Sequence, residues 1–340
     1  MNTLLKYLVA MAGILLGSYS LSQDIHFSQY MHNPLYQNPG NTGFFRGDYR
    51  VNMAYRDQWR SVTVPFQTLS LSGDNAGFIN GKLAVGFYFV HDVVGDGKFR
   101  TIDFLPSLAY HIRLDKKKGE NNVHSLRPGI QFGVNSREVQ PGNFSWDTQY
   151  NGYYYDPSLS GQEIFQRESY TNFALGFGTV YEWFTSSRKN FNVGFAWYNM
   201  TRQNQGFFGQ KIQRDMRFTF HGRGQFKIGL DWDIIPSFSM NFQGKYHELI
   251  FGSQLRYILK EKRGEYMAMY FGAFSRTRDA AYLMVGMDYQ NWFAGLSYDI
   301  NFSKLVPASR VRGGIEITLQ YILKTFKPKK VNHRICPVYI

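Results

Sequence analysis

Apolar and polar side chains alternate with a period of two along most of the chain after residue 47. In residues 48–56, Tyr49, Val51 and Met53 would share one face of an extended chain, and residues 66–72 repeat the pattern. Alternation of this kind is typical of a strand whose two faces meet different surroundings. The pattern therefore predicts an all-β protein.

The period of two recurs in fourteen segments of about 7 to 15 residues, separated by turn signals such as the glycine-rich residues 95–97. The predicted strands are 48–56, 66–72, 82–90, 99–112, 126–135, 170–184, 191–199, 216–229, 234–242, 249–259, 266–275, 281–288, 293–301 and 312–323. No segment after residue 22 has about 18 uninterrupted apolar residues, so no helical membrane span is expected. Since single-chain bacterial outer-membrane barrels have even strand numbers, the prediction is a transmembrane antiparallel β-barrel of about 14 strands.

The connections between these strands alternate in length. If the first strand begins in the periplasm, the odd connections are extracellular, and they include the two longest, residues 136–169 and 200–215. Even connections such as 186–190 and 231–233 are short. Long outer loops and short periplasmic turns are the asymmetry expected of an outer-membrane barrel.

The N-terminus reads as an export signal. Lys6 precedes an apolar run at residues 7–16, which is too short to span a bilayer, and small residues follow at Ser20 and Ser22. Residues 1–22 are thus predicted to be a cleaved signal peptide, in preference to a retained anchor. The predicted mature chain consists of an N-terminal periplasmic or plug segment (23–47), the barrel (48–323) and a periplasmic tail (324–340).

Composition and charge narrow the surroundings and the partners. An aromatic content of 18% with a mean hydropathy of −0.36 fits a membrane barrel, although a soluble exported β-protein has a similar composition. The net charge of +13 predicts an acidic partner or a phosphate-bearing lipid surface, such as outer-membrane lipid and lipopolysaccharide. Nucleic acid is not expected as a partner of an exported protein.

Basic residues concentrate in the even connections and after the last strand, which suggests either solubility or a periplasmic docking face. They are Lys116, Lys117, Lys118, Arg188, Lys189, Lys260, Lys262, Arg263, Lys324, Lys327, Lys329, Lys330 and Arg334. The tyrosines at residues 153–155 lie in the longest outer connection, where they form a binding surface or pack into the barrel mouth; packing is the favoured interpretation.

No residue set predicts an enzyme, a metal site or a cofactor. His91 followed by Asp92 is the one catalytic candidate, and the chain has no Gly-x-Ser-x-Gly motif to accompany it. The single cysteine, Cys336, cannot form an internal disulfide and is either a buried small hydrophobe or a free thiol.

Four groups of residues carry a family resemblance. The first is Phe27, Ser28, Gln29 and Tyr30 with the two steps Asn33-Pro34 and Asn38-Pro39; the second is Tyr55, Arg56, Gln58, Trp59 and Arg60; the others are residues 295–301 with 313–317, and Cys336 with Pro337. Together they resemble the PorP/SprF family of Bacteroidetes outer-membrane proteins. Residues 40–43 and the ending 338–340 depart from the family wording.

The resemblance implies an outer-membrane barrel of the type IX secretion and gliding apparatus. Such a protein would either tie the periplasmic ring of that apparatus to the membrane through an OmpA-like peptidoglycan-binding protein, or export and anchor a large secreted surface adhesin. The implied partner-binding residues are Gln29, Tyr30, Asn33, Pro34, Asn38, Pro39, Arg56, Trp59, Arg60, Lys327, Lys329, Lys330, Arg334, Cys336 and Pro337. Two alternatives are a FadL-like channel for hydrophobic solutes and an outer-membrane hydrolase that uses His91.

Overall fold

The computed structural model describes residues 24–60, 64–79, 81–115, 122–159, 161, 165–262, 264–302 and 312–325. Every predicted strand is present in these ranges. The strands are β1 (Tyr49–Gln58), β2 (Phe66–Ile79), β3 (Leu83–Val94), β4 (Phe99–Tyr110), β5 (Val123–Glu138), β6 (Ser169–Ser186), β7 (Lys189–Tyr198), β8 (Arg217–Lys227), β9 (Trp232–Gln243), β10 (Tyr246–Lys262), β11 (Glu265–Arg276), β12 (Ala280–Tyr289), β13 (Trp292–Asn301) and β14 (Arg312–Leu323).

The fourteen strands form one closed antiparallel sheet. Each strand pairs with the next, and β1 pairs with β14 in a register that runs from Tyr49 opposite Leu323 to Asp57 opposite Ile315. A short extension, Ile112–Arg113, continues β4 after a break at His111, and both pieces pair with β5. Closure pairs the strand edges that an open sheet would expose. The prediction of an antiparallel barrel of about 14 strands is confirmed.

The two faces of the wall are reversed relative to a water-soluble protein. On β13, the outward Leu296 and Tyr298 are 48% and 42% exposed, whereas the inward Ser297 and Asp299 are each 1% exposed. The predicted apolar face of β1 is likewise exposed. An outer surface of apolar side chains around a polar interior is what contact with lipid requires. Among the described residues, no helix is long and apolar enough to cross a membrane.

The connections follow the predicted lengths. The two longest, residues 139–168 and 199–216, lie at the same end of the barrel, which we call the outer rim. The opposite end, where the chain enters β1 and leaves β14, is the inner rim, and its turns include the short connections 187–188 and 290–291. The antiparallel order of the strands assigns each strand end to a rim.

Residues 24–47, the luminal segment, run through the interior of the barrel. Asp24 contacts Arg214 and Arg217 near the outer rim, while the Arg46 guanidinium lies over the ring of Phe184 near the inner rim. Between these ends the segment forms short helical turns, of which Pro34–Gln37 is α1. It fills much of the lumen and brings the residues of the N-terminal motif against the inward faces of the strands.

Candidate functional site in the barrel lumen

Glu316 on β14 binds the backbone of the luminal segment. The amide of Ser28 donates to Glu316 Oε2 at 2.7 Å, and the amide of Gln29 donates to Glu316 Oε1 at 2.9 Å. The Gln29 side chain reaches further, with Nε2 donating to the Glu316 carbonyl at 2.9 Å and to Ser297 Oγ at 3.3 Å. One carboxylate therefore fixes two consecutive backbone amides, and charge-assisted bonds of this kind are strong.

Two arginines neutralise the acidic groups around Ser28. Arg56 donates to Glu316 Oε2 at 3.0 Å and to Asp299 Oδ2 at 2.6 Å, and its side chain is 1% exposed. Arg276 donates to Ser28 Oγ at 3.0 Å and pairs with Asp299 at 3.4 Å. Buried charges are stable only when they are paired and hydrogen-bonded, so these groups depend on one another. Arg56 thus belongs to the wall residues that bind the luminal segment around Ser28 and Gln29, together with Glu316, Asp299 and Arg276; we call this binding site the seat.

Tyr30 and His32 continue the contact through their rings. Tyr30 is buried and packs with Phe274 in an edge-to-face arrangement at 6.5 Å between centroids. The His32 ring stacks on Phe293 at 4.1 Å, and its Nε2 lies 3.2 Å from the Gln254 amide. Burial, and secondarily the Arg223 guanidinium, lower the pKa of His32 to about 3. His32 is therefore neutral at ordinary pH, as a stacked ring in a buried site requires.

The first Asn-Pro step begins α1 and ties it to the wall. Pro34 occupies the first turn of α1, a position where its missing N–H costs nothing. Asn33 donates from Nδ2 to Ser70 Oγ on β2 at 2.9 Å. The next residue of the helix, Leu35, is fully buried and packs with Tyr88. The step thus aims α1 at β2 and β3.

The second Asn-Pro step lies against wall strands with little space to spare. Asn38 Nδ2 donates to the Thr179 carbonyl at 3.1 Å and the Phe195 carbonyl at 3.0 Å, and its Oδ1 accepts from the Gly40 amide. A Cβ on Gly178 would overlap Asn38 Oδ1 and approach the Pro39 ring. Glycines in strand interiors often mark the close approach of another backbone, as here.

Asp24 fixes the outer end of the luminal segment. Its carboxylate lies 2.7 Å from Arg214 and 3.5 Å from Arg217, and it accepts hydrogen bonds from Gln243 and Asn199. Burial alone would raise the pKa of Asp24, but the two guanidiniums and these hydrogen bonds hold it well below its usual range. The segment is thus held by ion pairs at Asp24 and by hydrogen bonds to a carboxylate at Ser28 and Gln29.

Trp59 and Arg60 are not part of this site. Both follow β1 at the outer rim, where Trp59 packs edge-to-face on Phe66 at 4.6 Å. The Arg60 side chain is 70% exposed and forms a local ion pair with Asp57. Six further residues of the sequence prediction lie outside the described residues: Lys327, Lys329, Lys330, Arg334, Cys336 and Pro337.

The sequence interpretation missed the wall side of the seat. Asp299, Glu316, Arg276 and Glu248 each occupy an inward position of a strand, and the last two lie 3.3 Å apart. The sequence does contain an indication of these residues. Glu316 lies between Ile315 and Ile317, so the alternation places a charged side chain on the inward face of this strand. A charge at an inward position calls for a partner in the lumen.

Two other candidates look different in the structure. His91 and Asp92 point to opposite faces of β3, since consecutive strand residues alternate, so they do not form a catalytic pair. The favoured packing of the tyrosines at residues 153–155 into the barrel mouth is wrong: Tyr153 is 92% exposed and Tyr154 is 63% exposed. In the described ranges, no cluster of three or more metal-ligating side chains occurs.

Comparisons with known proteins agree with this architecture. A family model described as type IX secretion system membrane protein PorP/SprF matches residues 20–321. Among solved structures, the toluene transporter TbuX of Ralstonia pickettii is 11% identical with a TM-score of 0.50, covering 86% of this chain and 94% of that chain. The CymD monoaromatic hydrocarbon channel is 8% identical with a TM-score of 0.48, covering 86% and 93%. At these identities the likeness concerns the fold alone. No curated protein matches the chain.

Proposed function

Because the chain belongs to the PorP/SprF family of type IX secretion system membrane proteins, we propose that it is the outer-membrane anchor for a periplasmic part of that system. In this role it binds periplasmic ring subunits or an OmpA-like peptidoglycan-binding protein at the inner rim and the basic tail. The protein is exported by its cleaved signal peptide and acts without catalysis, in line with the opposed directions of His91 and Asp92.

The observation that carries this proposal is the seat of the luminal segment. Ser28, Gln29 and Asn38 use their polar groups on the wall, so these motif residues are engaged inside the barrel. A lumen filled by a segment held at several points favours a scaffold over an open conduit. Partner proteins would then bind at the two rims of the barrel. The first strand begins and the last strand ends at the inner rim, which supports that rim as the connection to periplasmic partners.

A second candidate uses the outer rim. The exposed tyrosines at residues 153–155 offer rigid apolar surface with polar tips, which suits a protein partner such as a large secreted adhesin. In this role the barrel exports or holds the adhesin at the cell surface for gliding. The third candidate, a channel for hydrophobic solutes, is supported by the fold likeness to TbuX, and the filled lumen argues against it.

The experiment that separates these roles is a gentle-detergent pull-down of the tagged protein from its native envelope, followed by mass spectrometry. Removing residues 324–340 should abolish recovery of ring and peptidoglycan-binding components, while replacing Tyr153 and Tyr154 by serine should leave that recovery unchanged. The reverse pattern, with loss of one large secreted protein from the tyrosine variant alone, would assign the adhesin role. Recovery of neither class of partner, together with solute uptake into liposomes that contain the purified protein, would assign the channel role.

A further inference from the structure

A chamber of about 610 Å³ lies between the luminal segment and the inner rim. The side of the chamber away from the inner rim is formed by the luminal segment, which contributes Tyr30, Met31 and Phe44. Its mouth includes Arg188 in the turn after β6 and Lys324 after β14, both at the inner rim. The chamber therefore faces the side of the membrane on which β1 begins and β14 ends.

The lining of this inner-rim chamber is strongly basic. Seven lysine or arginine side chains line it, against three aspartate or glutamate side chains. Four of the arginines already have carboxylate partners: Arg127 binds Glu182, Arg188 and Arg256 bind Asp233, and Arg50 binds Asp74. Their charges are thus largely balanced within the wall.

Arg223 differs from these arginines. With the described residues it forms neither an ion pair nor a hydrogen bond, its Nε is buried without an acceptor, and the Asp288 carboxylate attracts it without contact. Its register neighbour on β9, Ser237, has a buried hydroxyl close to the Tyr30 hydroxyl, so polar groups surround Arg223 in the wall of the chamber. A guanidinium held away from bulk water and without an acceptor is costly, and an anionic oxygen would offset that cost.

Arg46 supplies a second unneutralised charge to the same chamber. Its guanidinium lies 4.2 Å from the centroid of the Phe184 ring, and it is exposed, with no carboxylate partner among the described residues. Ring stacking of this kind orients the guanidinium while its N–H groups remain available to a ligand. The chamber therefore offers one partly buried and one exposed cation to a ligand that enters from the inner rim.

We propose that the inner-rim chamber receives an acidic peptide segment of the periplasmic partner, whose carboxylates bind Arg223 inside and Arg46 at the mouth. The proposal rests on the proposed function and names the chemistry of its partner. A carboxylate matches the planar fork of a guanidinium, which binds it through two parallel hydrogen bonds.

Size and position favour a peptide over other anions. The volume lies in the range of about 300–1,000 Å³ that holds drug-sized ligands, so a single phosphate would leave most of it empty. Phe44, Phe45 and Tyr266 also line the chamber and can pack against apolar side chains of a peptide. Lipid headgroups lie outside the closed wall, which separates them from the lumen.

The test uses the full-length protein in nanodiscs of neutral phospholipid. The probe is a fluorescein-labelled hexapeptide of alternating glutamate and phenylalanine, and binding is followed by fluorescence polarisation. We expect Arg223→Gln to weaken binding about tenfold or more, as loss of a hydrogen bond to a charged group predicts. The matched control, Lys211→Gln, removes the same charge from the connection 199–216 at the outer rim and should bind as wild type does. A hexapeptide with glutamine in place of glutamate should not bind.

Two results would overturn the proposal. One is equal affinity of the Arg223→Gln and Lys211→Gln proteins for the acidic peptide. The other has two parts: anionic lipid added to the nanodiscs displaces the peptide, and lipid phosphorus co-purifies with wild type but not with Arg223→Gln. This result would assign the chamber to lipid phosphate. Folding is checked by the heat-dependent mobility shift typical of barrels, and Arg46→Gln at the exposed mouth provides a second variant. The peptide assay uses purified protein, whereas the pull-down uses the native envelope. A failure of the peptide assay would therefore overturn the chamber proposal without deciding the proposed function.

Discussion

Arg56 and Glu316 face each other across the seam that closes the barrel. They are register partners on β1 and β14, and Arg56 Nη1 lies 3.0 Å from Glu316 Oε2. The same carboxylate accepts the backbone amides of Ser28 and Gln29. Closure of the wall and seating of the luminal segment therefore depend on one buried ion pair.

Replacing Arg56 by glutamine should destabilise the protein severely. The change leaves Asp299 and Glu316 buried without their shared cation, and breaking a buried ion pair in this way costs about 3–5 kcal/mol. The control is Arg60→Gln, four residues along the chain, whose exposed pair with Asp57 is screened by solvent and should contribute little. The temperature at which the folded electrophoretic band disappears measures both. Similar temperatures for the two variants would show that the buried network contributes little.

Replacing Glu316 by glutamine should loosen the luminal segment; because it also breaks the seam ion pair with Arg56, the barrels that remain folded are the ones compared. The two amides of Ser28 and Gln29 would lose a charged acceptor, at about 1.5–3 kcal/mol for each such hydrogen bond. In planar bilayers we expect frequent openings of the variant and few of wild type. Glu265→Gln is the control, because Glu265 is exposed at the inner rim and, within the described ranges, forms its ion pair with exposed Lys260. Conductance of the Glu316 variant equal to that of the control would contradict the assigned role of this carboxylate.

Adding one methyl group at Gly178 should disturb the second Asn-Pro step. The Cβ would overlap the Asn38 side chain and press on Pro39, and overpacking of this kind costs about 1–3 kcal/mol. Gly142→Ala is the comparison, since no atom lies within 4 Å of a Cβ built there. Urea midpoints of the two variants in detergent would distinguish them. A tolerant Gly178 would mean that the segment can shift away from β6.

Acidification should release the luminal segment. Burial lowers the pKa of His32 to about 3 and lowers that of His26 well below its usual value. A histidine whose pKa is lowered by folding stabilises the folded state fully above pH 6.5, its unfolded pKa. That stability is lost as the pH falls from 6.5 towards 3, at about 1.4 kcal/mol per pH unit for each histidine.

The lowered pKa of Asp24 adds a further loss, but only below its unfolded value of 3.8. Between pH 6.5 and about 4 the histidines therefore act without a contribution from Asp24. Bilayer conductance should rise over this interval, and His32→Gln, which removes one titrating group, should respond less. An unchanged response of that variant would move the effect to other groups.

The strands were predictable from the sequence because each side chain of the wall faces either the apolar membrane or the polar lumen. Apolar Leu296 and polar Ser297 are neighbours on β13, and their alternation alone assigns one to lipid and the other to the lumen. Connection lengths followed from the same reasoning, since strand ends fix where each loop begins. The exposure of the tyrosines at residues 153–155 was not predicted correctly, because the packing of a loop leaves no periodic pattern in the sequence.

The seat of the luminal segment was only half visible in the sequence. The motif around Ser28 was recognised through its resemblance to a family, yet alternation cannot say which wall residue meets it. That pairing depends on barrel closure, which brings Glu316 to Ser28 across 288 residues of sequence. Inward charges such as Asp299 signalled that partners exist, and the three-dimensional arrangement was needed to identify them.

Glu316 also constrains the order of assembly. The carboxylate that holds Ser28 and Gln29 belongs to the last strand, so the binding site for the first described residues is complete only when β14 has joined β1. Contacts this distant in sequence form late and slowly. A barrel that lacks its final strand would leave Ser28 and Gln29 without their acceptor and more open to envelope proteases. Resistance of residues around Ser28 to protease would thus report that the last strand has closed the barrel.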